Sequence, residues 1–204
     1  MTDRYLYIVR HGEANADESE LTENGRRQAT LLGKRLRSAP ITVAHHGPLP
    51  RAMQTANLIV EQLDGVELKV SEVAGDYVPY VPPRDELPPD CADVLVNFLD
   101  QFTAEEREQG AALAHQALEQ FTGPAPGEQE RHELLVTHNF LVGWLVSQAL
   151  DAPPWRWLGL NHGNAALSVI RYRPGWPSSV LVFNDTRHLP AELRRPGFPD
   201  DAQM

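Results

Sequence analysis

Tyr5-Leu6-Tyr7-Ile8-Val9-Arg10-His11-Gly12-Glu13 begins as a β-prone apolar run and ends abruptly in arginine, histidine and glycine. A run of five such residues suits a strand buried on both faces and is too short for an ordinary helix. The next pattern has another period: Gly25, Ala29, Leu32 and Leu36 recur at spacings of four, three and four. That is one face of a helix over 22–37, with Thr22 as its N-cap. Residues 41–44 read as a second strand. Gly47-Pro48 then opens a second helix with Ala52, Ala56, Ile59 and Leu63 on one face, a proline being tolerated where the helix N–H is unpaired anyway. Residues 66–73 read as a third strand. This alternation predicts an α/β fold.

The rhythm breaks at five prolines, 79, 82, 83, 88 and 89. After them, 90–122 reads as mostly helical, with Leu95, Phe98, Leu99 and Phe102 as its apolar stripe. An insertion over about 74–130, lying across one edge of the sheet, accounts for this. Residues 133–137 give a fourth strand and 140–150 an apolar, buried helix. Residues 165–172 and 179–183 are β-rich runs around Pro174-Gly175-Trp176-Pro177, a turn signal, and predict a hairpin. The expected architecture is a three-layer α/β/α sandwich with a mostly parallel central sheet and a helical insertion after the third strand. It forms a single domain over 1–190, and 191–204 is read as a disordered tail.

The totals narrow the function. The chain has 204 residues, 42% of them hydrophobic and 23% charged, which suits one globular domain. A formal charge of −10 disfavours nucleic acid and anionic membranes, although a local pocket can still accept a small anion. A lone cysteine, Cys91, excludes an internal disulfide framework and fits a reducing compartment. There is no signal-type apolar segment and no apolar run near the ~20 residues of a membrane helix. These points lead to the expectation of a cytoplasmic protein with no nucleic-acid or membrane partner; its oligomeric state is left open.

Polar residues gather after three strands: Arg10-His11, then His45-His46 with Arg51, then His138-Asn139. In open α/β sheets, ligands bind beyond the carboxyl ends of strands, so these distant positions converge. Arg51 sits in the first turn of its helix, against the macrodipole, a placement that an anion bound there would turn to advantage. His11 and His138 each follow an apolar strand and precede a helix. His115 and His132 read as surface and loop histidines, and His162 and His188 have no companion motif. No His-x-His or His-x-x-x-His spacing supports a metal site.

With these residues in view, Leu6-Tyr7-Ile8-Val9-Arg10-His11-Gly12-Glu13 resembles the signature of the histidine phosphatase (phosphoglycerate mutase-like) superfamily. The similarity extends through Leu21-Thr22, Gly25 and Gln28-Ala29, through 48–56 and through Val136-Thr137-His138. It implies His11 as nucleophile, with Arg10, Arg51, His138 and Asn139 around the phosphate. It also implies a proton-donating carboxylate after the third strand, for which Glu72 is the first candidate and Asp76 the second. Two guanidinium groups and a second imidazole suit the charge that spreads over phosphoryl oxygens, so no metal or other cofactor is expected. Departures from the family pattern are Gly47 for a usual serine, Asn139 for a frequent glycine and Asp17 for a frequent asparagine. A Trp-Glu-Gly common in mutases is also missing. The expected function is a phosphomonoesterase of the phosphatase branch acting on a phosphorylated small molecule or phosphopeptide. A mutase and an inactive phospho-ligand binding module are the alternatives.

Overall fold

The computed structural model describes residues 1–194. Six strands form one sheet in the order β3-β2-β4-β1-β5-β6: β1 (Arg4–Arg10), β2 (Val43–His46), β3 (Glu67–Val70), β4 (Arg131–Thr137), β5 (Leu167–Tyr172) and β6 (Ser179–Asp185). The first four run parallel, and β5 and β6 add an antiparallel hairpin next to β1. β1 is central, pairing Val9 with Val136 on one side and with Leu167 on the other.

Alternation along β1 divides the core. Leu6 and Ile8 face one layer and Val9 the other. On the Val9 side lie α1 (Glu23–Leu36) and α2 (Pro50–Val60). Thr22 caps α1 by accepting from the Gly25 N–H, and Lys34 and Arg35 occupy its last turn, where the dipole favours cations. On the Leu6 side lie α3 (Ala92–Leu99), α4 (Ala104–Phe121) and α5 (Asn139–Ala149). α4 starts with a reciprocal capping box between Thr103 and Glu106.

Two expectations need correction, and the place of the insertion can be given more closely. Ala114, Ala117 and Phe121 of α4 pack in the same cluster as Leu6, Ile8 and Leu135, so the insertion supplies part of the third layer. The second strand runs two residues later than expected. His45 continues it because its ring, set edge-on against Phe121, lies 3.7 Å from the buried Glu133 carboxylate, which Arg4 and Arg131 also contact. The expected tail begins late as well: Ala191–Leu193 forms a 3-10 turn, Leu193 is buried, and its carbonyl accepts from Gln28 Nε2. The remainder of that tail, 195–204, lies outside the described residues. Among the described residues no helix is long and apolar enough to cross a membrane.

Gly110 in α4 marks how closely that helix packs on the loop at the start of the insertion. A Cβ there would stand 2.2 Å from the Val78 carbonyl oxygen. In an open helix, glycine to alanine stabilises by up to ~1 kcal/mol. Here Gly110→Ala is expected to destabilise by about 1–3 kcal/mol, because backbone must move. Urea unfolding of the two proteins measures the sign.

Candidate active site

β1, β2 and β4 end together, and the chain leaves each of them into polar residues. Arg10 closes β1 opposite Thr137, and the His11 N–H donates to the Thr137 carbonyl. His138 is the N-cap residue of α5, while Arg51 lies in the first turn of α2. Neither helix has a side-chain cap or an acidic residue in its first turn, unlike α1 and α4. Both dipoles therefore present uncompensated partial positive charge at this edge.

His11, Arg10, Arg51 and His138 are all buried and adjacent. His11 Nδ1 lies 2.8 Å from the Gly12 carbonyl oxygen. A carbonyl only accepts, so Nδ1 carries the proton and Nε2 keeps its lone pair. Arg51 Nε–H donates to that Nε2 at 3.3 Å. Burial, helped by His138 and Arg10, holds the His11 pKa well below its usual value, so the ring is neutral. The main chain is fixed too. The Gly12 N–H donates to Thr55 Oγ1, and the His11 carbonyl accepts from the Asn164 side chain and the Ala165 N–H.

The His138 ring stands 5.0 Å from that of His11, centroid to centroid. It is 1% exposed, and among the described residues neither ring nitrogen has a hydrogen-bond partner; Nδ1 is 3.5 Å from Asp76 Oδ2. Burial, then Arg51 and Arg10, lower its pKa to about 3. Leaving buried polar atoms unpaired costs on the order of 1–3 kcal/mol, a cost that an arriving oxyanion removes. Arg10 Nη1 donates to the His162 carbonyl at 2.7 Å, and burial lowers the Arg10 pKa to about 10. Arg51 is a hub: Nη2 donates to Asp76 at 2.8 Å and lies 3.2 Å from the Glu18 carboxylate, while Nη1 donates to the Glu18 carbonyl. Glu18 holds a φ of 56°, in the left-handed region.

Two expected site residues stand elsewhere. Glu72 heads a 3-10 turn, Glu72–Ala74, which buries Val73 and Ala74 and leaves Glu72 itself exposed. Asp76, four residues on, is brought in instead. Burial of its carboxylate raises its pKa against the opposing pull of Arg51, although the side chain remains one-third open to solvent. Asn139 does not face the cluster with a free amide. Its Oδ1 accepts from the His162 N–H and its Nδ2 donates to Asn161, so it holds the loop whose carbonyl anchors Arg10. Asp17 is spent within its own loop, accepting from the Ser19 N–H. Gly47 is required sterically: a Cβ would sit 2.3 Å from the Ala74 carbonyl oxygen and 3.3 Å from His138 Nε2. His45 belongs to the Glu133 network, and His46 Nδ1 is occupied by the Gly47 carbonyl.

The sequence offered no sign of Glu18, nor of the support under Arg10. There, His162 Nε2 bonds Ser168 Oγ, and Asn184 bonds both the Gly163 N–H and the Asn161 carbonyl. These contacts join residues without periodicity. Among the described residues no group of three or more His, Cys, Asp or Glu side chains is placed to hold a metal ion.

Residues 6–186 match the profile of the histidine phosphatase superfamily (branch 1). Over 192 residues the chain is 31% identical to the serine/threonine-protein phosphatase Pgam5, mitochondrial, of Caenorhabditis briggsae, covering 91% of this chain. It spans only 64% of that relative's length. The mitochondrial location in that name, shared by the Rattus norvegicus relative, overturns the expectation of a cytoplasmic protein. Among solved structures, Bacillus stearothermophilus YhfR superposes with a TM-score of 0.67 at 23% identity, covering 91% of this chain and 98% of that one. A phosphoserine phosphatase of Entamoeba histolytica gives 0.63 at 20% identity, covering 91% and 99%. These two likenesses concern the fold.

A tetrahedral oxyanion should accept from the single N–H of the neutral His138 ring. Vanadate or phosphate is expected to raise the melting temperature of the wild type in a concentration-dependent way, by mass action. His138→Ala should flatten that response. An equal rise in both proteins would count against an anion at this ring.

Proposed function

Because the chain belongs to the histidine phosphatase superfamily (branch 1), we propose that it hydrolyses phosphomonoesters through a phosphohistidine formed on His11. The observation that carries this reading is the tautomer of His11: Nδ1–H is tied to Gly12, and a neutral Nε2 faces Arg51. Imidazole in this state is a competent nucleophile. The relatives named as phosphatases support a phosphorylated substrate, a small molecule or a phosphopeptide.

His11 Nε2 attacks phosphorus, and the bond from phosphorus to the ester oxygen breaks. Arg10, Arg51 and His138 hold the three equatorial oxygens, whose charge grows in the transition state. Substrate takes over Arg51 from the Glu18 and Asp76 carboxylates that occupy it. Asp76, relieved of that cation and already raised in pKa by burial, gives its proton to the leaving oxygen. Water then attacks the phosphohistidine and delivers its proton to the Asp76 carboxylate. The phosphorus–nitrogen bond breaks, returning His11 and inorganic phosphate. What favours Asp76 over Glu72 is its place 2.8 Å from Arg51 and 3.5 Å from His138.

Phosphate release from an alkyl phosphate panel tests this reading. His11→Ala is expected to abolish turnover, and EDTA to leave the wild type unchanged; loss of activity on chelation would refute metal independence. Asp76→Asn should lower kcat/KM by about 10²–10⁴, the usual contribution of a positioned acid, while Glu72→Gln stays near wild type. The pH dependence has a definite sign. Transfer to His11 needs Asp76 protonated, so kcat/KM falls as pH rises through the raised Asp76 pKa. Asp76→Asn should lose that limb. A Glu72→Gln variant that lost it instead would return the role to Glu72.

A further inference from the structure

A cavity of about 420 Å³ opens directly from Asp76, within the ~300–1,000 Å³ of small-ligand pockets. If Asp76 protonates the leaving oxygen, the alcohol side of the substrate has to lie where Asp76 can reach it. This cavity is that space. The following inference therefore rests on the phosphohydrolase reading and concerns its substrate.

Most of the wall is apolar and rigid. Phe102 and Phe140 line it, held edge to face with a centroid distance of 6.2 Å, and Phe140 is buttressed by Trp157 at 5.1 Å. Such interlocked rings have little freedom to retreat. Leu113 adds an aliphatic surface. Tyr77 spends its hydroxyl on the Val73 carbonyl at 2.7 Å, so its polar handle is already used. The polar side of the wall is Glu106 and Gln109, three residues apart on α4. Glu106 Oε2 accepts from both the N–H and the hydroxyl of Thr103, bonds that favour the ionised carboxylate. Among the described residues no lysine, arginine or histidine lines the cavity.

We infer that this cavity is the leaving-group subsite and selects phosphomonoesters whose alcohol portion is an uncharged apolar or aromatic body. A carboxylated alcohol would meet Glu106 and find no cation. The capping box of α4 already takes the Thr103 and Glu106 N–H groups, and the Glu106 carboxylate that closes it repels a second anion. An aromatic body instead buries surface against Phe102, Phe140 and Leu113, where the hydrophobic effect rewards it.

Three substrates with closely similar alcohol basicity test this: benzyl phosphate, 4-carboxybenzyl phosphate and ethyl phosphate. For the wild type, kcat/KM for benzyl phosphate should exceed each of the others at least tenfold. Gln109→Arg, an exposed change outside the proposed phosphoryl-binding residues, should raise kcat/KM for 4-carboxybenzyl phosphate at least fivefold and leave ethyl phosphate within twofold. Phe102→Ala should bring benzyl phosphate down toward ethyl phosphate, with circular dichroism confirming its fold. Equal use of all three substrates by the wild type, or an unchanged carboxybenzyl to benzyl ratio in Gln109→Arg, overturns the subsite while leaving the hydrolase reading intact. Failure to hydrolyse any of them, with His11→Ala indistinguishable from wild type, overturns both.

Discussion

The hydrogen bond from His11 Nδ1 to the Gly12 carbonyl is the interaction on which the site depends, and it is held by a crossing of two backbones. A Cβ on Gly12 would lie 2.6 Å from the Gly25 carbonyl oxygen, and a Cβ on Gly25 would lie 2.0 Å from that of Glu13. Only glycine at both places lets the loop after β1 press against the first turn of α1. Once pressed there, the Gly12 N–H is held by Thr55 from α2 and the Glu13 N–H by Gln28 from α1, which sets the Gly12 oxygen 2.8 Å from the imidazole Nδ1. A histidine in a looser loop would exchange tautomers and face its nucleophilic nitrogen toward the site part of the time.

Around that bond, polarity is concentrated and matched. Arg51 reaches four groups, two of them carboxylates, and this offsets the proximity of Arg10 and the open dipoles of α2 and α5. Arg10 draws its order from the opposite end of the chain, through the His162 carbonyl and the asparagines that fix its loop. The cationic pair thus has two unlike supports. Arg51 is held by groups that a substrate can replace, and Arg10 is held by backbone that it cannot.

The sequence made the framework legible because β1, α1, β4 and the hairpin carry strong periodicity and clear turn signals. It made His11, Arg10, Arg51 and His138 legible because each interrupts such an element at its end. Asp76 was harder to place. Residues 71–76 turn through a 3-10 segment with neither a 2.0 nor a 3.6 period, so counting from β3 reaches Glu72 first, and what separates the two carboxylates is the contact of Asp76 with Arg51 and His138. The role of Asn139 was hidden for a related reason: its partners, Asn161 and His162, lie across a loop with no pattern of its own. The place of α4 on a sheet face was obscured by small residues. Gly110, Ala114 and Ala117 make a weak stripe, yet their smallness is what allows the helix to approach closely.

The central position of β1 has a consequence in time. The strand that delivers Arg10 and His11 is made first, but its neighbours are residues 131–137 and 167–172. The loop beyond it is tied through Gln28 to the carbonyl of Leu193, near the end of the described chain. On the ribosome, this strand therefore waits without those partners until residues 131–137 and 167–172 are made. Contacts so distant in sequence are slow to close. His11, the proposed nucleophile, gains its full set of contacts only when residues up to 193 have emerged, so a nascent or truncated chain carries the motif without the geometry that the proposal requires.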